Sequence, residues 1–329
     1  MADPTYLEVQ AMVQDIFLDP QIEQNVYDET ATANYLLKRA LLKDSSYQIR
    51  RKVQYDKLQE NVEWFKDFDK LTTIQKNIRT VAVYDWANVK ASEDIAKTVF
   101  NQEMSAESQI QQLGELKASI MRDLVKGVNA AAHTARTAGD DQMWSIPDII
   151  DDADPAAGTC GLATAVGDGT IWKAVDNGTV SGCSPDTLHA TLGIPLKVKG
   201  EVDAYLSNIY VEGDLFKDYS GNQRFATLGA DGEWSWGPAG KYLVVAGKPL
   251  IIDSQVAGTG YGTADSRIYA FNNRNLNLVI SKRNNFVVTI VPPDRNYESY
   301  HVRVSLTCQL TTNGRNRLGV MKVVNPVQP

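Results

Sequence analysis

His133, His189 and His301 are the three imidazoles of the chain, and a metal or a general base working at neutral pH would draw on them first. None stands in an HxxxH or HExxH spacing, so nothing places two ring nitrogens on one helix face. Solvated imidazoles are the expectation. Cys160, Cys183 and Cys308 are odd in number and show no CxxC spacing, which implies neither a zinc site nor a disulfide framework. In "DDADPAAG" (151–158), Asp152 and Asp154 have the i, i+2 start of a calcium loop. Ala156 and Ala157 then fill later loop positions, and no closing glutamate follows. "QVAGTGYGTADS" (255–266) has the glycines of a dinucleotide loop, but such a loop must open a helix whose N–H groups hold the pyrophosphate. The strand-like "RIYAFNNRNLNLVI" follows instead, so a flexible loop is expected. With no GxxxxGK[ST] and no GxSxG, the residues offer no catalytic constellation, no cofactor site and no metal site.

Binding chemistry is better represented. Arg50, Arg51 and Lys52 form a short basic run, as do Lys282 and Arg283, without the interleaved aromatics of a single-strand platform. Trp64, Phe65 and Phe68 stand in the otherwise polar "QENVEWFKDFDKLT" (59–72). Aromatics in such a setting either fold back or anchor a partner. The 43% hydrophobic and 22% charged composition is that of a folded chain, not a disordered one. A net charge of −7 gives no basis for non-specific nucleic-acid binding. That charge is uneven: Asp3, Glu8, Asp15, Asp19, Glu23, Asp28 and Glu29 open the chain without a Lys or Arg, while the stretch beyond 265 is basic. This asymmetry fits acidic and basic faces of neighbouring copies, or simply two solvated faces. "MADPTYLEVQ" lacks a signal-peptide pattern, and no apolar run reaches the ~18–20 residues of a membrane span. A soluble intracellular product without membrane contact is expected.

Two long elements must organise the rest. From 301 to 311 the sequence alternates, with Val302, Val304, Leu306, Cys308 and Leu310 on one face and polar residues on the other. This predicts a half-buried strand of about 36 Å, roughly twice the usual length. Cys308 thus reads as a small buried hydrophobe. Between 108 and 134, Leu113, Leu116, Ile120, Leu124 and Val128 recur at spacings of three and four, predicting a helix of about 40 Å. The first 45 residues hold short helical patches, the best at 32–42, and read as an arm lying on something else. Strand-like runs at 48–58 and 73–92 flank the aromatic stretch, as in a charged β-excursion. Residues 138–266 are rich in Gly, Asp and Trp, with short strands expected in "IPLKVKG" and "KYLVVAGKPLIID". Residues 274–293 supply one or two more. Asn313-Gly314 reads as a tight turn.

The order of these features resembles the major capsid proteins of tailed bacteriophages, the Hong Kong 97-type fold. "TVAVYDWANVKASEDIA", "LFKDYSGNQRF" (215–225), "GKPLIIDSQVAG" (247–258) and "NYESYHVRVSLTCQLTTNGRNRLGVMKVV" (296–324) carry the resemblance, which runs from about 31 to 324. It implies an α+β chain with an N-terminal arm (1–47) and an extended β-hairpin loop (48–80). It also implies a peripheral domain (81–137 and 267–312) with a spine helix at 108–134, and an axial α/β domain (138–266 and 313–329). Arg50, Arg51, Lys52, Trp64, Phe65 and Phe68 would be intersubunit contacts on the extended loop. Leu113, Leu116, Ile120, Leu124 and Val128 would form the core side of the spine helix. Val302, Val304, Leu306, Cys308 and Leu310 would form the core side of the long strand, with its other face toward solvent or a neighbour.

By the same resemblance the chain is no enzyme and takes no cofactor. Its partners would be copies of itself in pentamers and hexamers, a separate scaffolding protein, a portal and decoration proteins. The shell would enclose double-stranded DNA without reading its sequence. The place is the virion, assembled in the host cytoplasm. Some members join a loop lysine to a neighbour's asparagine with the help of a glutamate. Lys57, Lys66, Asn296 and Glu298 offer the types but no matching motif, so no crosslink is expected. An encapsulin-like cage subunit of the same fold is the alternative, and an enzyme without a recognisable motif comes after it.

Overall fold

The computed structural model describes residues 30–44, 47–54, 79–96, 106–136, 141–150, 172, 174–221, 243–245, 247–258, 266–291 and 299–324. The described residues begin with helix α1 (Ala31–Lys38), strand β1 (Leu41–Lys43), the pair β2 (Ile49–Gln54) and β3 (Arg79–Tyr84), strand β4 (Ala87–Ala96) and the long helix α2 (Ala106–His133). Next come α3 (Ile146–Ile150), β5 (Val175–Ser181), α4 (Pro185–Leu188), a π-turn (His189–Gly193), α5 (Ile194–Lys199), β6 (Ala204–Ser207) and α6 (Ile209–Gly221). The remaining strands are β7 (Leu243–Val245), β8 (Lys248–Ile252), β9 (Ser266–Phe271), β10 (Leu276–Ser281), β11 (Val287–Val291), β12 (Ser299–Thr312) and β13 (Gly319–Val324).

The 14-residue β12 is the centre of the first sheet. On one edge it pairs with β4 from Ser299 to Cys308; on the other it pairs with β11 at its start and β10 at its end. Ile280 stands opposite Cys308 and Val287 opposite Ser305, so the chain between β10 and β11 bulges out by four residues. Asn284 fills the gap. Its carbonyl accepts the Thr307 N–H (2.9 Å), its amide donates to Thr307 Oγ1 (2.6 Å), and its Oδ1 accepts from Ser305 (2.8 Å). Strand β1 closes that side by pairing in parallel with β10. Leu41 and Leu42, expected at the end of the arm's helix, are therefore strand residues, because a free sheet edge is available to them.

The expected apolar face of β12 is buried throughout: Val302, Val304, Leu306, Cys308 and Leu310 are at most 2% exposed. Helix α2 packs on this sheet through Ile120, Leu124 and Val128, with Leu116 partly buried beside them. The side chain of Leu113 lies outside the described residues. The polar face departs from expectation, since Thr307, Gln309 and Thr311 are buried as well. Thr307 is met by Asn284 and Asn88, and Gln309 and Thr311 by Asp85 and the β2–β3 ribbon that precedes it. Arg51 Nε donates to Thr311 Oγ1 (3.1 Å), and Gln309 Nε2 donates to Asp85 O (2.6 Å). Tyr84 Oη donates to Thr312 O (3.0 Å) and accepts the Thr312 N–H (3.2 Å). Polar side chains lie buried there because each finds a partner.

A second, six-stranded sheet runs β5-β13-β9-β6-β8-β7. Its residues alternate between two cores. Ala204, Leu206, Ile251, Tyr269, Phe271 and Val320 join the core of the first sheet, while Tyr205, Leu250, Ile268, Ala270, Met321 and Val323 face the core of α4, α5 and α6. Residues 267–271, expected with the peripheral part, lie in this sheet because Tyr269 pairs with both Leu206 and Val320. "IPLKVKG" is helical. Its apparent alternation is misleading: Leu196 is buried, but Ile194 and Val198 point outward (51% and 85% exposed). Residues 215–221 likewise belong to a helix, as the second half of α6. Asn313-Gly314 makes no hairpin. Through a 3₁₀ turn (Arg315–Arg317) it passes the chain from the first sheet to the second. A Cβ at Gly314 would lie 2.8 Å from Asn275 Oδ1, so any larger residue there would displace that side chain.

Leu306 is wholly buried where helix and strand meet. Leu306→Ala is expected to cost about 3 kcal/mol. A lowered urea midpoint at unchanged slope would register it.

Candidate functional site

A buried polar cluster lies where α1, α2 and the end of β8 meet. Asp253 follows β8 directly and is 3% exposed. Its Oδ2 accepts the Thr32 N–H at the start of α1 (3.1 Å), and its Oδ1 accepts the Gln255 N–H (3.0 Å). Asn129 on α2 donates to the same carboxylate (3.0 Å to Oδ2), while its own Oδ1 accepts the Ala33 N–H (2.8 Å). His133, one helical turn further on, brings Nε2 to 3.3 Å from Asp253 Oδ2 and 3.0 Å from Thr32 Oγ1. The first-turn N–H groups of α1 lack intrahelical acceptors, so a carboxylate at its N-terminus is well placed. Burial by itself would raise the Asp253 pKa. The His133 hydrogen bond and charge, with hydrogen bonds from the Thr32 side chain and the Gln255 N–H, outweigh it and hold the carboxyl far below the usual range.

This cluster has the residue types of a hydroxyl–imidazole–carboxylate relay but not its geometry. A relay needs hydroxyl and carboxylate on opposite ring nitrogens. Here Thr32 and Asp253 share Nε2, and the buried Nδ1 has no hydrogen-bond partner among the described residues. The arrangement anchors three elements to one another. His133 is thus a buried anchor and not the solvated side chain expected, whereas His189 is exposed and His301 contacts Asp94 on the outer face of the first sheet.

A cleft of about 440 Å³ between α2 and β4 is lined by Val89, Gly127, Val128, Ala131 and Met143, with Cys308 at its wall. Burial pushes the Cys308 thiol up to about 12, which leaves it protonated and unreactive at neutral pH. Among the described residues no group of three potential metal ligands gathers, and no helix is long and apolar enough to cross a membrane.

What remains is surface. The ribbon presents Arg50 and Lys52 outward, while Arg51 turns in to Thr311. Trp64, Phe65 and Phe68 lie outside the described residues. Edge strand β11 carries exposed Val287 and Val291 (39% and 44%), and β1 carries exposed Leu42 (53%). These edges and faces can join other chains, but they do not form a pocket for a small substrate.

Neither a protein-family profile nor a curated protein sequence matches the chain. Solved structures do. The capsid asymmetric unit of cyanophage A-1(L) superposes with a TM-score of 0.62 at 15% identity, covering 92% of this chain and 93% of that one. The SrpI encapsulin of Synechococcus elongatus PCC 7942 gives 0.58 at 13% identity, covering 91% and 89%. The capsid of a native GTA particle gives 0.57 at 12%, covering 89% and 91%. The chain has the Hong Kong 97-type fold.

Within this fold, the structure brings Ile120, Leu124 and Val128 together with Val302, Val304, Leu306, Cys308 and Leu310 in one core. It separates Arg51 from Arg50 and Lys52. Sequence reasoning missed Asp253, Asn129 and Thr32. Asp253 does close an apolar strand with an acid, but nothing in the sequence names helix residues more than a hundred positions away as its partners.

Asp253→Asn is expected to lower stability by about 3 kcal/mol, since it disrupts a buried hydrogen-bonded pair. The folded pKa lies below the unfolded one. The contribution is therefore complete above about pH 4 and is lost as pH falls through and below that value. Urea midpoints between pH 6 and 3 should fall more steeply for the natural chain than for the variant.

Proposed function

We propose that the chain is a major capsid protein that self-assembles into the icosahedral head shell of a tailed virus around double-stranded DNA. The observation that carries this reading is the likeness to capsid subunits over about nine-tenths of both chains. The described residues agree with it in kind: the buried Asp253 and His133 serve to anchor elements to one another, and the outward features are sheet edges and charged faces. On this reading residues 1–47 are the arm and 48–80 the extended loop. Helix α2 is the spine of a peripheral part built on the first sheet. The six-stranded sheet with α4–α6 is the axial part, now including 267–271. A closed shell needs head-to-tail contacts that close rings of five and six, plus links between rings. Scaffolding, portal and decoration proteins are the further partners of such a shell, which forms in the host cytoplasm. Catalysis, cofactors and sequence-specific DNA contacts have no place in this reading.

The encapsulin-like cage is the second reading, favoured by the SrpI likeness at a TM-score close to that of the cyanophage capsid. Electron microscopy of the purified protein, alone and with a scaffolding partner, tests both. Closed shells, curved sheets or rings of five or six copies are expected, with packaged DNA distinguishing a virus head from an enzyme cage. A monomer that persists with the partner present would overturn the assembly reading.

A further inference from the structure

The register of the first sheet brings two cations to one place beneath the ribbon. Lys43 stands opposite Ser281, and Leu41 opposite Val279. Val279 in turn stands opposite Gln309, and Asn277 opposite Thr311. Residues directly opposite one another share a face of the sheet, so Lys43 projects on the side where the ribbon sits. Arg51 reaches the same side from the ribbon's inner face and donates from Nε to Thr311 Oγ1 (3.1 Å). Its Nη2 is enclosed and has no hydrogen-bond partner. The backbone is fixed at this point, because Lys43 O accepts the Lys282 N–H (2.9 Å).

Neither cation has a counter-ion. Among the described residues Lys43 and Arg51 take part in no ion pair. Asp44, next to Lys43 in the chain, is paired with Lys282 (3.3 Å), and Asp85, just beyond β3, accepts from Gln48 Nε2 (3.0 Å). Burial lowers the Lys43 pKa, and the neighbouring charge of Arg51 lowers it further. Burial also lowers that of Arg51, with Tyr84 acting in the opposite sense. Two like charges drawn partly out of water, beside an unused guanidinium donor, oppose folding until an anion meets them. We propose that Lys43 and Arg51 bind a phosphate-class oxyanion between the ribbon and the edge of the first sheet. Two positive charges match the charge of about −1.5 to −2 on a phosphate group at neutral pH, where a carboxylate brings only one. With Nε spent on Thr311, the guanidinium keeps its Nη groups for the anion's oxygens. The bound anion ties β1 to the ribbon and, through Thr311, to the end of β12.

Urea unfolding of the full chain in sodium phosphate and in sodium chloride of equal ionic strength tests the site. For a dissociation constant of about 1 mM, phosphate at about 10 mM lowers the unfolding constant about tenfold. Lys43→Met is expected to abolish this gain. In chloride its midpoint should be no lower than that of the natural chain, because one of two repelling charges is gone. Lys43→Arg should keep the gain. So should Lys90→Met, which removes an equal charge from the exposed face of β4. The phosphorus resonance of inorganic phosphate should broaden with the natural chain and not with Lys43→Met. A thymidine oligonucleotide at equal phosphate concentration separates the two sources of the group. A Lys43-dependent gain from it identifies a nucleic-acid backbone, and one from the free ion alone identifies dissolved phosphate. The assignment is overturned by a natural chain that neither form stabilises, by an equal gain in Lys43→Met, by loss of the gain in Lys90→Met, or by a lower midpoint of Lys43→Met in chloride.

Discussion

The structure depends on burying both faces of the second half of one long strand, from Leu306 to Thr312. An apolar face alone would need only a helix above it, and α2 supplies that. β12 also carries Thr307, Gln309 and Thr311 into the interior, and each buried polar group must find a partner or cost on the order of 1–3 kcal/mol. Asn284 from the bulge, Asp85 and the Trp144 N–H, and Arg51 from the ribbon meet that demand. The bulge, the ribbon's seat and the path of residues 141–145 follow from it.

The same strand fixes how the two sheets are joined. Beyond Thr312 the chain turns at Gly314 and enters the second sheet as β13, and one apolar core runs from Leu306 and Leu310 to Phe271 and Val320. Arg315 is buried at this crossing and donates from Nε to Ile149 O (2.6 Å). On the opposite flank Asp253 ties the end of β8 to α1 and α2. The two sheets are thus connected by covalent chain, by shared apolar packing and by a buried carboxylate.

The elements with strong periodicity were legible in advance. Leu116, Ile120, Leu124 and Val128 specify an amphipathic helix whatever surrounds them, and the alternation from Val302 to Leu310 specifies a strand with that face inward. In both cases a single local period determines which side is buried. Short segments were not legible. "IPLKVKG" alternates like a strand, yet Pro195 sits in the first turn of a helix that continues from the π-turn, and only Leu196 finds the core. Leu41 and Leu42 became strand only because β10 offered them an edge.

Sequence alone therefore determined the helix, the long strand, the separation of an acidic start from a neutral remainder, and the lack of a catalytic motif. These are properties of local spacing and composition. Tertiary structure decided that the polar face of β12 is interior, that Arg51 points in while Arg50 and Lys52 point out, and that Asp253 receives Thr32, Asn129 and His133. Each of those outcomes depends on groups distant in sequence arriving at hydrogen-bonding distance. No local period encodes that arrival.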